Sequence, residues 1–550
     1  MSAACSRGGP AQRSPSVPRP SSTTAGRVSR DVSTDPTTAP AGSDGVAGHP
    51  VAETVRLRRL GIDTYQEPVI FMPADCAVCR SEGWAAQSRV RITHGDHVII
   101  ATLNVVTGDL LADGEAGLSD VAWRMLAARD GDQLVLDPPD PLVSLRAVRA
   151  KVYGRRFATD DLRAVVQDIA AGRYSTIELA AFVTASAARG LDLAETTDLT
   201  RAMLEAGAQL TWERAPVVDK HCVGGLPGNR TTMIVVPIVA ACGLLMPKTS
   251  SRAITSPAGT ADAMETVAPV TLDLQHMRRV VEQEGACVVW GGSVNLSPAD
   301  DLIIRVERPL DIDSEAQLVA SVLSKKAAAG STHVVIDIPV GPTAKVRAAD
   351  AARRLSASLA EVGRAIGLVV QVVLSDGRQP VGRGVGPALE ARDVLAVLRG
   401  EAEAPPDLRD RALTLAAALL EIGAAAPPGS GREMAERCLV QGGAWRKFQA
   451  ICEAQGGMRE PPRAVLTQPV LSVRPGRIVG IDNRRLARVA KLAGAPASPA
   501  AGLEMHAVIG QRVAIGEPLY TVHSQTPGEL QYALAYVRRN RDIHILEEFS

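Results

Sequence analysis

Residues 218–229 read Val-Asp-Lys-His-Cys-Val-Gly-Gly-Leu-Pro-Gly-Asn, and residues 248–262 read Lys-Thr-Ser-Ser-Arg-Ala-Ile-Thr-Ser-Pro-Ala-Gly-Thr-Ala-Asp. Each loop has an apolar stretch before it and a helix-like stretch after it. A strand, a loop and a helix N-terminus together collect backbone N–H groups and the positive end of a helix dipole at one point. With Lys220 and Lys248 in these loops, the sequence predicts a phosphate-binding site.

The residue types in both loops fit such a ligand. Glycine has no side chain, so Gly224, Gly225 and Gly228 allow the backbone to approach a ligand closely. The second loop supplies hydroxyl groups that can donate to phosphate or sugar oxygens, at Ser250, Ser251, Thr255, Ser256 and Thr260. We expect Thr260 to cap the following helix, with Asp262 in its first turn. For the first loop, the alternative is a tight strand-to-helix turn that binds no ligand.

Apolar strands alternate with helical segments through this part of the chain. Val334–Ile338 and Leu368–Leu374 have the composition of fully buried strands, which occur in parallel sheets covered by helices. Helical stretches at 407–422 and near 432–454 follow them. The sequence therefore predicts an α/β domain over 218–460, with a mainly parallel sheet that binds phosphate and substrate.

The rest of the chain divides by composition into four segments. The first is rich in Ser, Pro, Thr, Ala, Gly and Arg without apolar periodicity, which is typical of disorder and is weakly similar to an organellar transit peptide. Of the other three segments, the one after the tail has short strands and the next has helical periodicity. The last segment, at the end of the chain, has short strands with Gly turns. We expect a disordered tail at 1–50, a small β-rich domain at 52–145, a helical domain at 146–217 and a C-terminal α+β domain at 465–550. The fold class is multidomain α/β and α+β.

The composition gives no reason to expect a nucleic acid or a membrane as partner. The 60 basic residues balance the 60 acidic ones, and aromatic residues are only 3% of the chain. The longest apolar run, Met233–Pro247, is shorter than the roughly 20 residues that span a bilayer, so we expect a buried helix there.

The eight cysteines are scattered along a long chain, which favours reduced thiols and a cytoplasmic protein over a disulfide framework. Cys76 and Cys79 form a CxxC pair with no second pair nearby. A zinc site would need two further ligands from elsewhere, so structural thiols are favoured over metal or redox chemistry. We expect no metal and no cofactor.

Lysine is concentrated in one region of a chain whose basic residues are nearly all arginine. Five of the eight lysines fall between residues 220 and 345, at Lys220, Lys248, Lys325, Lys326 and Lys345. Retained lysines indicate sites that need a compact ammonium group rather than a planar guanidinium. Chance clustering is the alternative.

A third segment predicts a helix with a polar stripe. Ser314 and Gln317 have the spacing of a capping box, so a helix should begin here. Ser321 and Lys325 are four residues apart and share one face with Ser314. This stripe either lines a pocket or is a solvated face, and the residues themselves leave both interpretations open.

Together, Asp219-Lys220-His221, the Gly-Gly loop, the Ser-Arg…Gly-Thr loop and the Ser321…Lys325 helix resemble the thymidine/pyrimidine-nucleoside phosphorylase family. The similarity runs from about 146 to 540. The N-terminal β domain, the insertion at 225–229 and the sequence of 251–256 resemble the branch that includes AMP phosphorylases. This resemblance implies reversible phosphorolysis, in which a nucleoside and phosphate give a free base and a sugar 1-phosphate. It also implies inorganic phosphate as co-substrate and a homodimer formed through the helical domain.

The resemblance also implies a role for each matching position. Phosphate would be held by Lys220, Gly225, Ser250 and Thr260. The substrate would be contacted by Ser321 and Lys325 at the base, by Lys345, and by Ser251, Arg252, Ala253, Ile254, Thr255 and Ser256. The leaving base would receive a proton from Asp313 or, by its match to the pyrimidine branch, from His221. A base-contacting arginine corresponds to Arg305 or Arg308.

Substrate identity stays open at this point. Cys222 stands where the family usually has serine, and a thiol is a weaker hydrogen-bonding group. Thymidine or another pyrimidine nucleoside is the first choice, and a nucleoside 5′-monophosphate of the AMP type is the second. A phosphoribosyltransferase would need acidic groups for magnesium, for which Asp300 and Asp301 are the nearby candidates. A nucleotide-binding protein without activity is the non-enzymatic alternative.

Overall fold

The computed structural model describes residues 54–226, 228–253, 256–294, 296–312 and 314–548. The predicted tail over 1–50 lies outside these residues, as do Ile254, Thr255 and Asp313.

The N-terminal β-rich region closes into a barrel with the strand order β1-β5-β2-β4-β3-β6. Alternate side chains of its strands point inward, as at Val55 and Leu57, and form a separate hydrophobic core. The elements are β1 Thr54–Ile62, β2 Val69–Pro73, α1 Ala77–Glu82, β3 Arg89–His94, β4 His97–Val106, β5 Glu115–Ser119, α2 Asp120–Met125 and β6 Gln133–Asp137.

A bundle of helices follows: α3 Leu145–Val152, α4 Thr159–Ala170, α5 Thr176–Arg189 and α6 Leu193–Glu205. Capping boxes begin α5 at Ser175 and α6 at Asp192, because each cap side chain accepts a backbone N–H that the helix itself leaves unpaired. The Glu195 carboxylate of the second box also accepts from the buried Lys151 ammonium at 2.7 Å, which joins α6 to α3.

The α/β domain contains parallel strands in the order β11-β10-β7, with β8 and β9 paired beside them. A hydrogen bond of 2.8 Å from Val218 N to Leu245 O connects the two groups of strands. The elements are β7 Val218–Cys222, α7 Thr232–Ala241, β8 Met246–Ser250, α8 Thr260–Glu265, α9 Leu274–Glu284, β9 Ala286–Trp290, α10 Pro298–Leu310, α11 Glu315–Ala328, β10 His333–Val340, α12 Ala349–Ala365, β11 Val369–Asp376, β12 Gly384–Val385, α13 Pro387–Arg399, α14 Pro406–Ile422, α15 Gly431–Val440 and α16 Gly443–Ala454. Short 3-10 helices span Asn229–Thr231 and Gly291–Ser293.

Two sequence expectations in this domain are corrected. The interior of β10 is buried as predicted, but the prediction of a fully buried strand at Leu368–Leu374 is wrong. β11 pairs only with β10 among the described strands, and its Val369 and Leu374 are each 49% exposed. The apolar run Met233–Pro247 is a buried helix only as far as α7, since Gly243 turns the chain and Pro247 belongs to β8.

Helices α10 and α11 each pack one face against the helical bundle and turn another face to the α/β domain. Ala299, Ile303 and Val306 of α10 and Ala320 of α11 are buried among the apolar side chains of α4, α5 and α6. The opposite faces of both helices turn towards the carboxyl ends of the parallel strands. The helical bundle and the sheet therefore share these two helices.

The C-terminal region contains β13 Leu466–Leu471, β14 Gly476–Ile481, α17 Asn483–Leu492, β15 Gly502–Met505, β16 Arg512–Val513, β17 Pro518–Ser524, α18 Pro527–Arg539 and β18 His544–Glu547. Its sheets have the orders β12-β15-β17-β13 and β16-β14-β18. Because β12 belongs to the α/β domain, the first of these sheets joins the two regions by backbone hydrogen bonds.

We predict that Gly386→Ala destabilises this junction. Gly386 has φ +130°, and a Cβ there would overlap the carbonyl oxygen of Ala501. Backbone strain and the clash should lower the free energy of unfolding by about 2–3 kcal/mol in urea denaturation. The matched control is Gly400→Ala, where φ is +70° and no atom lies within 4 Å of the added Cβ, so only the strain of about 1 kcal/mol applies. Equal losses in the two variants would contradict this account.

Candidate active site

A cavity of about 610 Å³ opens where β7, β8 and β9 end. The carboxyl ends of parallel strands meet at one edge of a sheet, so the loops that follow them converge there. The cavity is closed from the other side by α10 and α11, and the N-terminal turn of α17 contributes to its wall. Three regions of the chain therefore form this one cavity.

A fully buried carboxylate is bound to lysines that line the cavity. Asp219, on β7, is fully buried, and its Oδ2 accepts a hydrogen bond from Lys326 Nζ at 2.7 Å. Lys248 Nζ lies 3.6 Å from Asp219 Oδ1. Lys220 Nζ donates to the hydroxyls of Thr231 and Thr232, at 2.6 and 3.3 Å. With three ammonium groups near one carboxylate, this end of the cavity suits an anion.

Burial and mutual repulsion change the protonation of this group. Burial lowers the pKa of Lys248 to about 7, with Asp219 opposing the shift and Lys326 and Lys220 adding to it. Burial also lowers the pKa of Lys220. The pKa of His221 falls well below its ordinary value because of burial and the surrounding lysines, so its imidazole is neutral at pH 7.

The predicted phosphate-binding residues all line this cavity: Lys220, Gly225, Ser250 and Thr260. The Ser250 hydroxyl is buried and has no hydrogen-bond partner among the described residues. Thr260 is the first residue of α8, so its prediction as N-cap is wrong. Gly259 is the N-cap, since the Asp262 carboxylate accepts from the N–H of Gly259 at 2.8 Å.

The loop after β8 is held together by its own ion pairs. Arg252 lines the cavity, but its guanidinium binds both carboxylate oxygens of Glu265, at 2.5 and 3.0 Å, and lies over the Trp290 ring. Ser251 and Ser256 also line the cavity, whereas the Ala253 N–H is bound to Asp262 at 2.6 Å. The predicted contacts from Ile254 and Thr255 lie outside the described residues.

The polar stripe on α11 faces the cavity, since Ser314, Ser321 and Lys325 all line it. Ser314 is the N-cap, and its hydroxyl accepts from the Gln317 N–H at 3.5 Å. The prediction of a capping box is only half right, because no side-chain hydrogen bond returns from Gln317. The predicted proton donor Asp313 lies outside the described residues.

Lys325 is paired with an acid that the sequence offered only as a magnesium candidate. Its Nζ lies 2.5 Å from Asp300 Oδ2. Burial acts to lower the pKa of Lys325, but the charge and the hydrogen bond of Asp300 outweigh it and raise the pKa. The neighbouring Asp301 also lines the cavity, and burial raises its pKa to about 6.

The two candidate arginines have different positions. Arg308 lines the cavity and donates to the Tyr65 hydroxyl of the barrel at 3.3 Å. Arg305 instead donates to the Gln66 carbonyl at 2.8 Å. Both therefore fix α10 to the barrel loop between β1 and β2, but only Arg308 reaches the cavity wall.

Lys345 lies in the cavity wall beside the first loop, and a Cβ on Gly224 would lie 3.1 Å from the Lys345 Cβ. Arg484 of α17 lines the cavity as well. Sequence reasoning missed Arg484, because no motif marks it. It named Lys248 among the charges of the phosphate site but gave neither Lys248 nor Lys326 a role from the resemblance, although both line the cavity.

Burial keeps the thiols near the cavity and in the barrel unreactive. Burial, with the nearby Asp337 carboxyl, raises the pKa of Cys222, so this thiol stays protonated. Cys76 and Cys79 are buried and form no disulfide bond. Within the described ranges, no group of three or more His, Cys, Asp or Glu residues is arranged to hold a metal ion. No helix in that part of the chain is long and apolar enough to cross a membrane.

We predict that Asp219→Asn destabilises the protein. The substitution keeps the shape of the side chain but leaves Lys248 and Lys326 buried without its charge, which should lower the free energy of unfolding by roughly 3 kcal/mol in urea denaturation. The matched control is Asp350→Asn, which breaks an exposed pair with Arg354 and should leave stability unchanged. If Asp219→Asn were as harmless as the control, the lysines would not depend on this carboxylate.

Three family models match consecutive parts of the chain. They are described as the helical bundle domain of the glycosyl transferase family (residues 145–207), the a/b domain of the glycosyl transferase family (214–445) and the pyrimidine nucleoside phosphorylase C-terminal domain (478–544). The solved structure of anthranilate phosphoribosyltransferase from Thermus thermophilus covers 56% of this chain and 99% of its own, at 21% identity. Its TM-score of 0.49 is too low to bear on function.

Similar proteins match nearly the whole chain. A protein of Polaromonas sp. (strain JS666 / ATCC BAA-500) named "Putative thymidine phosphorylase" is 62% identical over 495 residues, which are 90% of this chain and 97% of the relative. A protein of the same name from Legionella pneumophila (strain Corby) is 58% identical over 499 residues, which are 91% of this chain and 96% of the relative. With this identity over almost the full length of both chains, the protein belongs to the thymidine phosphorylase family.

Proposed function

We propose that this protein catalyses the reversible phosphorolysis of a pyrimidine nucleoside, and that thymidine and phosphate give thymine and 2-deoxyribose 1-phosphate. The observation that carries the proposal is the single cavity that is lined both by the lysines around Asp219 and by the polar stripe of α11. The relatives' name and the pyrimidine nucleoside phosphorylase C-terminal domain support the same activity. Inorganic phosphate is the co-substrate, and no cofactor takes part.

In the proposed reaction, a phosphate oxygen attacks the anomeric carbon while the bond from that carbon to the base breaks. The transition state resembles an oxocarbenium ion, so the enzyme must hold the anionic nucleophile close and stabilise the leaving base. Lys248, Lys326 and Lys220 supply the charge for phosphate, and Ser250 supplies a donor that has no protein partner among the described residues. Gly225 and Thr260 complete the phosphate site.

The base lies beside Ser321 and Lys325 on the polar stripe of α11. The leaving base gains a proton as the bond breaks. We propose Asp313 or His221 as its donor. The neutral imidazole of His221 can still donate from one ring N–H, although it carries no positive charge at pH 7. Lys345 and the loop at 251–256 contact the rest of the substrate.

A specific observation favours a second candidate, a nucleoside 5′-monophosphate. Besides the lysines around Asp219, and besides Arg252 and Lys325 with their partners Glu265 and Asp300, the cavity is lined by the cationic side chains of Arg308, Lys345 and Arg484. An additional phosphate on the substrate would complement them. An AMP-type phosphorylase would release the base and ribose 1,5-bisphosphate. The non-enzymatic alternative is a nucleotide-binding protein that has lost its activity because Cys222 replaces the serine usual in the family.

We also propose a cytoplasmic homodimer that pairs through the helical bundle. Tyr153 after α3 and Ile177 on α5 are 85% and 72% exposed, and such apolar surface supports a protein partner. Cys242, Cys438 and the other described cysteines form no disulfide bonds, which supports a reducing compartment.

Phosphate-dependent release of free base tests the proposed function. Thymidine, uridine, cytidine monophosphate and AMP are each incubated with the full-length protein, with and without inorganic phosphate. We expect release from thymidine only when phosphate is present. Release from the 5′-monophosphates alone would replace this proposal with the nucleotide phosphorylase, and retained binding without any release would support the inactive binder.

The pH dependence of phosphate use should follow Lys248. Below its pKa of about 7 the side chain is charged, so the KM for phosphate should rise as pH increases through 7, by up to about tenfold per pH unit. Lys248→Arg stays charged throughout, so its KM should rise less steeply. Phosphate ionises identically in the assays of the wild type and of Lys248→Arg. The difference between their pH profiles of KM therefore reports the titration of Lys248 alone. Parallel profiles would contradict the assignment.

A further inference from the structure

Gln317 carries a buried amide group that the protein's own contacts leave unpaired. Its side chain is on α11, only 4% of the residue is exposed, and neither Oε1 nor Nε2 has a hydrogen-bond partner among the described residues. Burying an amide without partners costs free energy, and nearly all buried polar groups in proteins are paired. Because this side chain lines the cavity, a ligand is the natural source of its missing partners.

The position of Gln317 indicates which part of the ligand it meets. Ser321 and Lys325 follow it by four and eight residues, so the three side chains lie in a row on one face of α11. All three line the cavity, and the proposed function places the nucleobase beside Ser321 and Lys325. The Gln317 carboxamide is one turn from Ser321, at the N-terminal end of this row.

We propose that Gln317 reads the hydrogen-bonding edge of the nucleobase and selects pyrimidine-2,4-diones such as thymine and uracil. This inference rests on the proposed function. A dione presents the N3–H donor beside a ring carbonyl acceptor, and a carboxamide presents the complementary acceptor and donor. Gln317 Oε1 accepts from N3–H, and Nε2 donates to the adjacent carbonyl. Such two-point pairing discriminates strongly, since a wrong partner leaves a buried polar group unpaired.

The test is the affinity of the full-length protein for thymidine and for N3-methylthymidine, measured by calorimetry in phosphate-free buffer, where phosphorolysis cannot proceed. The wild type should bind thymidine about tenfold or more tightly than the N3-methylated analogue. Gln317→Leu should weaken thymidine binding to a similar degree and bring the ratio of the two affinities close to one. An unchanged ratio in Gln317→Leu would overturn the inference.

The stability of the variant distinguishes base reading from a structural role. Gln317→Leu removes a buried group that has no partner among the described residues, so the ligand-free Tm should stay the same or rise. The matched control is Ser324→Ala on the same helix, since the Ser324 hydroxyl is also fully buried and unpaired within the described ranges but does not line the cavity. Its affinities should equal those of the wild type. The inference would be overturned if Gln317→Leu lowered the Tm and weakened the affinities for thymidine and N3-methylthymidine equally.

Failure of this inference and failure of the proposed function give different results. Selective binding of thymidine that depends on Gln317, without base release when phosphate is added, contradicts the proposed function alone. Phosphate-dependent base release contradicts the inference alone if Gln317→Leu does not alter the ratio of the affinities for thymidine and N3-methylthymidine. If the wild type does not bind thymidine, the claim that Gln317 binds a pyrimidine-2,4-dione is contradicted.

Discussion

The Asp219 carboxylate is the interaction on which the candidate site depends. It lies in the interior of β7, fully buried, and binds the ammonium of Lys326 from α11 while Lys248 from β8 stands beside it. Buried ammonium groups tend to lose their protons, and the depressed pKa of Lys248 shows this tendency. One carboxylate stabilises the charged lysines without cancelling them, so the cavity keeps an excess of positive charge for an anion.

Helices α10 and α11, which line the cavity, are held by the helical bundle, and α10 is also held by the barrel. The inner faces of α10 and α11 are buried in the helical bundle, while their other faces line the cavity. Arg305 and Arg308 attach the end of α10 to the barrel. The residues of these helices that line the cavity therefore depend on packing outside the cavity. The barrel lies outside the three matched family models, and it contributes to the position of Arg308.

The sequence predicted those features that local chemistry determines. The two loops singled out for their glycines and hydroxyls line one cavity, and helical spacing put Ser321 and Lys325 on one face, which the structure shows to line that cavity. It failed where distant residues decide the outcome. An edge strand such as β11 has the same apolar composition as a buried one, and its place at the edge depends on which other strands join the sheet, which no local pattern reveals. The pairing of Asp219 with Lys326 joins residues 107 positions apart, and no local pattern reveals it.

The most direct measurement for the central claim is a crystal structure of the full-length protein with inorganic phosphate bound. The account predicts phosphate within hydrogen-bonding distance of the Ser250 hydroxyl and of at least one ammonium group from Lys220, Lys248 and Lys326. The Asp219 carboxylate should remain bound to Lys326 beneath it. Phosphate bound only beside Arg308 and Arg484, with the lysines around Asp219 untouched, would contradict the account.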